Sequence, residues 1–317
     1  MKEWNGFRKG VNLGGWLSQC DYSRERLDNF IKEEDFKWIA ENGFDHVRVP
    51  IDYNVVEDDK GGYIEYGFER IAFAVDTAKK YGLNIILDLH KTAGFMFDEA
   101  YKEFGFFENE QLQERFCKLW EQLSSRFGND PEHIAFELLN EVTDEAFMPV
   151  WNKVAYKCIE RIRKNAPDTV ILVGSFENNS ARTVYALEKP YDDKIIYNFH
   201  CYDPLKFTHQ HASWVMDKPE VQKDWAFEDC GIDEAFFEDF FKSAIEKAKE
   251  NDTLLYCGEY GVIENVESSE AIKWFKAINA VFEKHDIGRA VWSYKEMDFG
   301  ITDKRFDDDR DELIKYL

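Results

Sequence analysis

Two glutamates, Glu141 and Glu259, stand at the ends of short apolar runs, in FELLNE and YCGEYG. Other runs close on polar or aromatic groups as well: Arg48 in HVRVP, His90 in ILDLH, Asn140 beside Glu141, His200 and Tyr202 in YNFHCY, and Trp292 in AVWSY. Left without partners in a protein interior, each unmet hydrogen bond would cost about 1–3 kcal/mol, and a charge more. Grouping these side chains around one rim lets them satisfy one another. Two carboxylates with an arginine and two histidines nearby meet the needs of glycoside hydrolysis, one as a neutral acid for the leaving oxygen and the other as an ionised nucleophile. Taken singly, each glutamate reads equally well as a structural carboxylate, and each histidine as a hydrogen-bonded core residue. The joint set is what points to a site.

The elements that must position these groups follow from the apolar pattern. Buried strands are expected at Gly10–Trp16, His46–Pro50, Asn84–His90, Ile134–Glu141, Thr169–Gly174, Ile195–Tyr202, Leu254–Gly261 and Ala290–Tyr294. Between them run segments of helical period. The clearest is Asn109–Phe127, with Leu112, Phe116, Leu119, Leu123 and Phe127 on one stripe before Gly128. After the fifth strand only a short helix, Ser180–Leu187, is expected. Eight strands starting on average about 40 residues apart fit an α/β chain folded as one (β/α)8 TIM barrel, a single domain over residues 1–317. In such barrels the active site lies at the C-terminal ends of the strands, where the polar residues above are found.

With these motifs in order along nearly the whole chain (GVNLGGW, HVRVP, ILDLH, FELLNE, YNFHCY, YCGEYG and AVWSYKEMDF), the sequence resembles glycoside hydrolase family 5, and within it the clostridial endoglucanase C group. The resemblance implies a retaining endo-β-glucanase acting on β-1,4 and mixed-linkage β-1,3-1,4 glucans without a cofactor. It assigns Glu141 as acid/base and Glu259 as nucleophile. It further implies that Arg48 and Tyr202 hold the nucleophile, that Asn140 reads the sugar 2-hydroxyl, and that His90, His200 and Trp292 frame the reacting ring. Charge proximity agrees, since Arg48 would keep Glu259 ionised while poorer support lets Glu141 hold a proton. Two departures stand out: Lys91 follows His90 where many relatives carry a second histidine, and the loop after the sixth strand is shorter than the clostridial inserted subdomain.

The remaining features bound the partners. A formal charge of −23, from 63 acidic and 40 basic residues, argues against nucleic acid and anionic membranes and leaves a neutral β-glucan as partner. The start, Met1 to Asn5, carries no apolar signal region, so the expectation is a soluble monomer, cytoplasmic or secreted with its signal removed. Six cysteines without a CxxC pair suggest free thiols. His209-Gln210-His211 has spacing for two metal ligands, but no further ligands complete a set, and no metal is expected. Expected cleft walls are Phe95, Phe97, Phe104, Phe106 and Phe107 after the third strand, and Trp214 and Trp225 after the sixth. Trp4 and Phe7 are expected to close the bottom of the barrel. An exo-β-1,3-glucanase, a β-mannanase or a non-catalytic carbohydrate-binding barrel are the alternatives on the same scaffold.

Overall fold

All eight expected strands form: β1 Lys9–Asn12, β2 His46–Asp52, β3 Asn84–Lys91, β4 Ile134–Glu137, β5 Ile171–Gly174, β6 Ile195–Cys201, β7 Leu255–Tyr260 and β8 Gly288–Val291. The computed structural model describes residues 4–317, and in it the strands pair in parallel and in sequence order, with β8 returning to β1 to close the barrel. Met1 to Glu3 lie outside the described residues. Among the described residues no helix is long and apolar enough to cross a membrane.

The principal outer helices are Glu33–Glu41, Glu65–Lys80, Glu110–Phe127, Met148–Asn165, Glu234–Glu250 and Ser268–Lys284. Helix Glu110–Phe127 starts where the Asn109 side chain accepts from the Gln111 N–H, and it buries Phe116, Leu119, Leu123 and Phe127. After β5 the expected short helix is a 3-10 segment, Ala181–Ala186, and helix Glu234–Glu250 packs against it. The chain between Cys201 and Asp233 forms a long loop with two short helical pieces, Leu205–Thr208 and Phe227–Cys230.

Inside the barrel, the N-terminal halves of the strands pack Ile86, Ala135, Leu172, Ile196, Tyr256 and Ala290 against Phe7. Trp4 stacks on Phe7 at 4.2 Å between ring centroids, so these two rings close the lower end as expected. Much of the large aromatic content lies between barrel and helices. Three buried tryptophans there donate their ring N–H to carbonyls near the upper ends of strands: Trp120 to Leu138, Trp151 to Gly174 and Trp274 to Asp203. Each ties a helix to the rim that carries the polar residues.

Several strands stop short of the expected ends. β4 leaves its ladder after Glu137, although the Asn140 N–H still reaches the Leu89 carbonyl, and Glu141 then adopts a left-handed φ of 42°. Such a conformation costs a residue with a Cβ about 1–3 kcal/mol and persists where the surroundings over-determine it. β1 likewise ends at Asn12, before the turn at Gly14-Gly15, and Trp292 lies just past β8. At Gly14 a Cβ would come within 2.8 Å of the Trp292 ring, so glycine lets the turn after β1 pass close to that indole.

Candidate active site

The barrel register assembles the rim. Asn12 lies beside Arg48, Asp88 beside Glu137, and, after an irregularity between Phe199 and His200, Glu259 stands beside His200. That irregularity re-aims the two side chains. Gly258 is needed here, because a Cβ would lie 2.8 Å from Asn198 Oδ1 and 2.9 Å from His200 Nε2.

Arg48 is fully buried and sits at the hub. Its Nη1 donates to Glu259 Oε1 at 2.7 Å and to Asn12 Oδ1 at 2.8 Å. Its Nε and Nη2 grip both oxygens of Glu137 at 2.7 and 2.8 Å, and Nη2 also reaches Asn140 Oδ1 at 2.9 Å and Asp88 Oδ2 at 3.0 Å. The second oxygen of Glu259 accepts from the Tyr202 hydroxyl at 2.9 Å. Glu141 is held differently: His200 Nδ1 lies 2.7 Å from its Oε1, and Asn178 Nδ2 donates to its Oε2 at 3.0 Å. One carboxylate oxygen of each glutamate and a nitrogen of His200 lie within 4.8 Å of one another.

The two carboxyl groups therefore differ in electrostatic support. Glu259 has a direct guanidinium contact and a phenol donor. Glu141 has no direct cation contact, and burial pushes its pKa up to about 7, opposed chiefly by the Asn178 hydrogen bond. His200 is brought down to about 4 by burial, so it stays neutral at ordinary pH. Burial also lowers His90 and raises Asp88 to about 7. Glu141, His200 and Glu259 offer ligand atoms close enough for a cation. The Arg48 guanidinium already occupies the positive position beside Glu259, which does not fit a metal there.

His90 places Nδ1 on Asp88 Oδ2 at 2.7 Å and lies parallel to Trp292, with ring centroids 5.7 Å apart and planes inclined by 3°. Among the described residues three buried nitrogens around the carboxyl pair, Asn140 Nδ2, His90 Nε2 and His200 Nε2, have no partner within the chain. Trp214 is exposed, and its edge meets His209, whose ring packs on Tyr202 at 5.3 Å. Trp225 is tied into its own loop: its ring N–H donates to the Glu220 carbonyl, its backbone bonds the Gln210 side chain, and Lys206 lies over its ring. His209 bonds Thr208 and His211 bonds Asp224, so the two histidines face different partners.

The phenylalanine wall needs correction. Phe95, Phe106 and Phe107 are buried in mutual edge contacts, and Phe106 packs on Phe116 of the outer helix, because the apolar loop has to cover that helix. Of the other two, Phe97 meets the site edge-on to His90 at 5.5 Å, and Phe104 is exposed. Lys91 turns away to Glu103, its Nζ 3.3 Å from Oε1, and Glu103 also accepts from the Tyr53 hydroxyl and the Gly94 N–H, pinning the loop after β3. Glu137, Asn12 and Asn198 went unnoticed in the sequence, although a polar residue inside an apolar strand was an available signal. Asn178 had none, since its loop meets Glu141 only in three dimensions.

A closed (β/α)8 barrel carrying a carboxyl pair at the C-terminal rim defines the class as a barrel glycoside hydrolase. Residues 7–298 match the cellulase family, glycosyl hydrolase family 5, and the chain belongs to that family. It is 56% identical to cellodextrinase A of Ruminococcus flavefaciens over 91% of this chain and 86% of that one. To endoglucanase C of Acetivibrio thermocellus it is 37% identical, covering 98% of both chains. Endoglucanase Cel5A of Thermotoga maritima superposes with a TM-score of 0.84 at 26% identity, over 98% of this chain and 97% of that one.

Proposed function

We propose that residues 1–317 form one catalytic domain, active as a monomer, that hydrolyses β-1,4 and mixed-linkage β-1,3-1,4 glucans internally with retention of configuration. Glu259 attacks the anomeric carbon while Glu141 gives its proton to the leaving oxygen. Glu141 then takes a proton from the water that releases the sugar from Glu259. The observation that carries this reading is the pair itself: carboxylate oxygens within 4.8 Å, one group beside Arg48 and the other raised to about 7. A retaining pair stands about 5–5.5 Å apart, whereas an inverting pair leaves room for water. Asn140 and His90, each with an unpartnered buried nitrogen, are suited to sugar hydroxyls, and Trp292 and Trp214 to the apolar sugar faces.

Reducing ends and product sizes from mixed-linkage glucan, soluble cellulose derivatives and laminarin test this. Early loss of viscosity on the first two is expected, with turnover rising from three to five glucose units because distant sugars help distort the reacting ring. Glucose as sole early product from laminarin, with mixed-linkage glucan untouched, would replace this reading with exo attack. The relative named cellodextrinase A favours a second reading within the same chemistry, in which short soluble β-1,4 chains are preferred to polymer. The ratio of rates on cellopentaose and soluble polymer separates the two.

A further inference from the structure

The loop that follows β5 has an unusual backbone. Glu177, Asn178 and Asn179 are all left-handed, with φ of 53°, 54° and 58°, and none is a glycine. A Cβ disfavours that region, and asparagine tolerates it best. The conformation is held from two sides. The N–H groups of Glu177 and Asn178 bond the carbonyls of Thr143 and Val142, the two residues that follow Glu141. On the other side Ser180 forms a parallel bridge with His200. Within this frame Asn178 Nδ2 donates to Glu141 Oε2 at 3.0 Å while His200 meets Oε1.

Resting on the reading of Glu141 as acid/base, we propose that Asn178 is a positioning residue that fixes the Glu141 carboxyl between β5 and β6 and stabilises its ionised form after proton transfer. An amide N–H can only donate, so the contact survives both proton states of Glu141, and it is worth more to the charged one. It works against the burial that lifts Glu141 to about 7. The other titratable groups facing Glu141 are His200, Glu259, His90, Arg48, Asp88 and Tyr202, all supplied by other strands. Among the described residues, Asn178 is thus the one hydrogen-bond partner of this carboxyl that can be altered without changing a titrating group.

The test compares Asn178→Ala, Asn178→Gly and Glu141→Gln on two aryl cellobiosides, one with a good leaving group (dinitrophenyl) and one with a poor one (phenyl), following kcat/KM against pH. For Asn178→Ala the alkaline limb should rise by about half a unit to one unit, as a lost donor to a carboxylate requires. Activity on the phenyl substrate should fall roughly tenfold, with a change below about threefold on the dinitrophenyl one, which needs little protonation. Asn178→Gly accepts the left-handed backbone yet lacks the amide, so it should behave like Asn178→Ala and guards against misfolding of the alanine variant. Wild-type behaviour of Asn178→Gly, or equal losses on both substrates with an unmoved limb, would overturn the proposal. Should Glu141→Gln lose activity equally on both substrates, the acid/base reading itself fails. If Glu141→Gln discriminates and the Asn178 variants do not, only the role of Asn178 fails.

Discussion

Arg48 and Glu137 form a two-point ion pair inside the barrel, Nε to Oε2 at 2.7 Å and Nη2 to Oε1 at 2.8 Å, with both side chains shielded from solvent. The same guanidinium serves Glu259 and Asp88, so one cation compensates three carboxyl groups. Removing one partner of a buried charge set leaves the others unpaired. Arg48→Met is therefore expected to destabilise the fold by about 3–5 kcal/mol and to abolish turnover. Urea denaturation checks the first effect, and a loss under about 1 kcal/mol would mean that the carboxyl groups are compensated elsewhere.

The acid form of Glu141 is the one that protonates the leaving oxygen, and its pKa is raised to about 7. Activity, followed as kcat/KM, should fall as pH climbs through about 7, and a limb more than a unit lower would contradict the burial argument. Stability follows the same sign. A carboxyl whose folded pKa lies above its ordinary value contributes stability that is full below that ordinary value and lost as pH rises through the folded one. Asp88, also near 7, and Asp203, near 6, add to Glu141 in this window. His200 and His209, both brought down to about 4 by burial, act the opposite way up to about pH 6.5, so the Tm of the wild type minus that of Glu141→Gln isolates the carboxyl: this difference should fall as pH rises from about 4.5 to about 7, and a difference that rises across that range would refute it.

The Lys91–Glu103 contact pins the loop that carries Phe97 to His90. Lys91→Ala should raise KM for cellopentaose about threefold to tenfold while kcat stays within about twofold, since binding is loosened without touching the carboxyl pair. Steady-state kinetics on the oligosaccharide series decides. An unchanged KM would mean that the loop holds without the ion pair.

The sequence made the barrel legible because strands buried on both faces are continuous apolar runs, and because polar residues closing such runs have few uses other than a shared rim. Arg48, His90, Asn140, Glu141, His200, Tyr202 and Glu259 could be named that way. The extent of β4 could not, because Leu138 and Leu139 are as apolar as the strand residues before them, yet the strand stops at Glu137, ahead of the left-handed turn at Glu141. Phe95, Phe106 and Phe107 misled for a related reason: an apolar ring in a rim loop covers a helix as readily as a sugar. The Asn178 contact depends on two loops meeting through backbone hydrogen bonds, a relation with no periodicity to read.

The central claim, that Glu259 forms the covalent glycosyl-enzyme, is tested most directly by trapping it. A 2-deoxy-2-fluoro cellobioside with a dinitrophenyl leaving group slows both steps but keeps the first observable, so the labelled intermediate accumulates. Mass spectrometry of the digested protein should find the fluorosugar on the peptide containing Glu259, with no label on the peptide containing Glu141. Label on Glu141, or turnover with inversion and no label at all, would contradict the account.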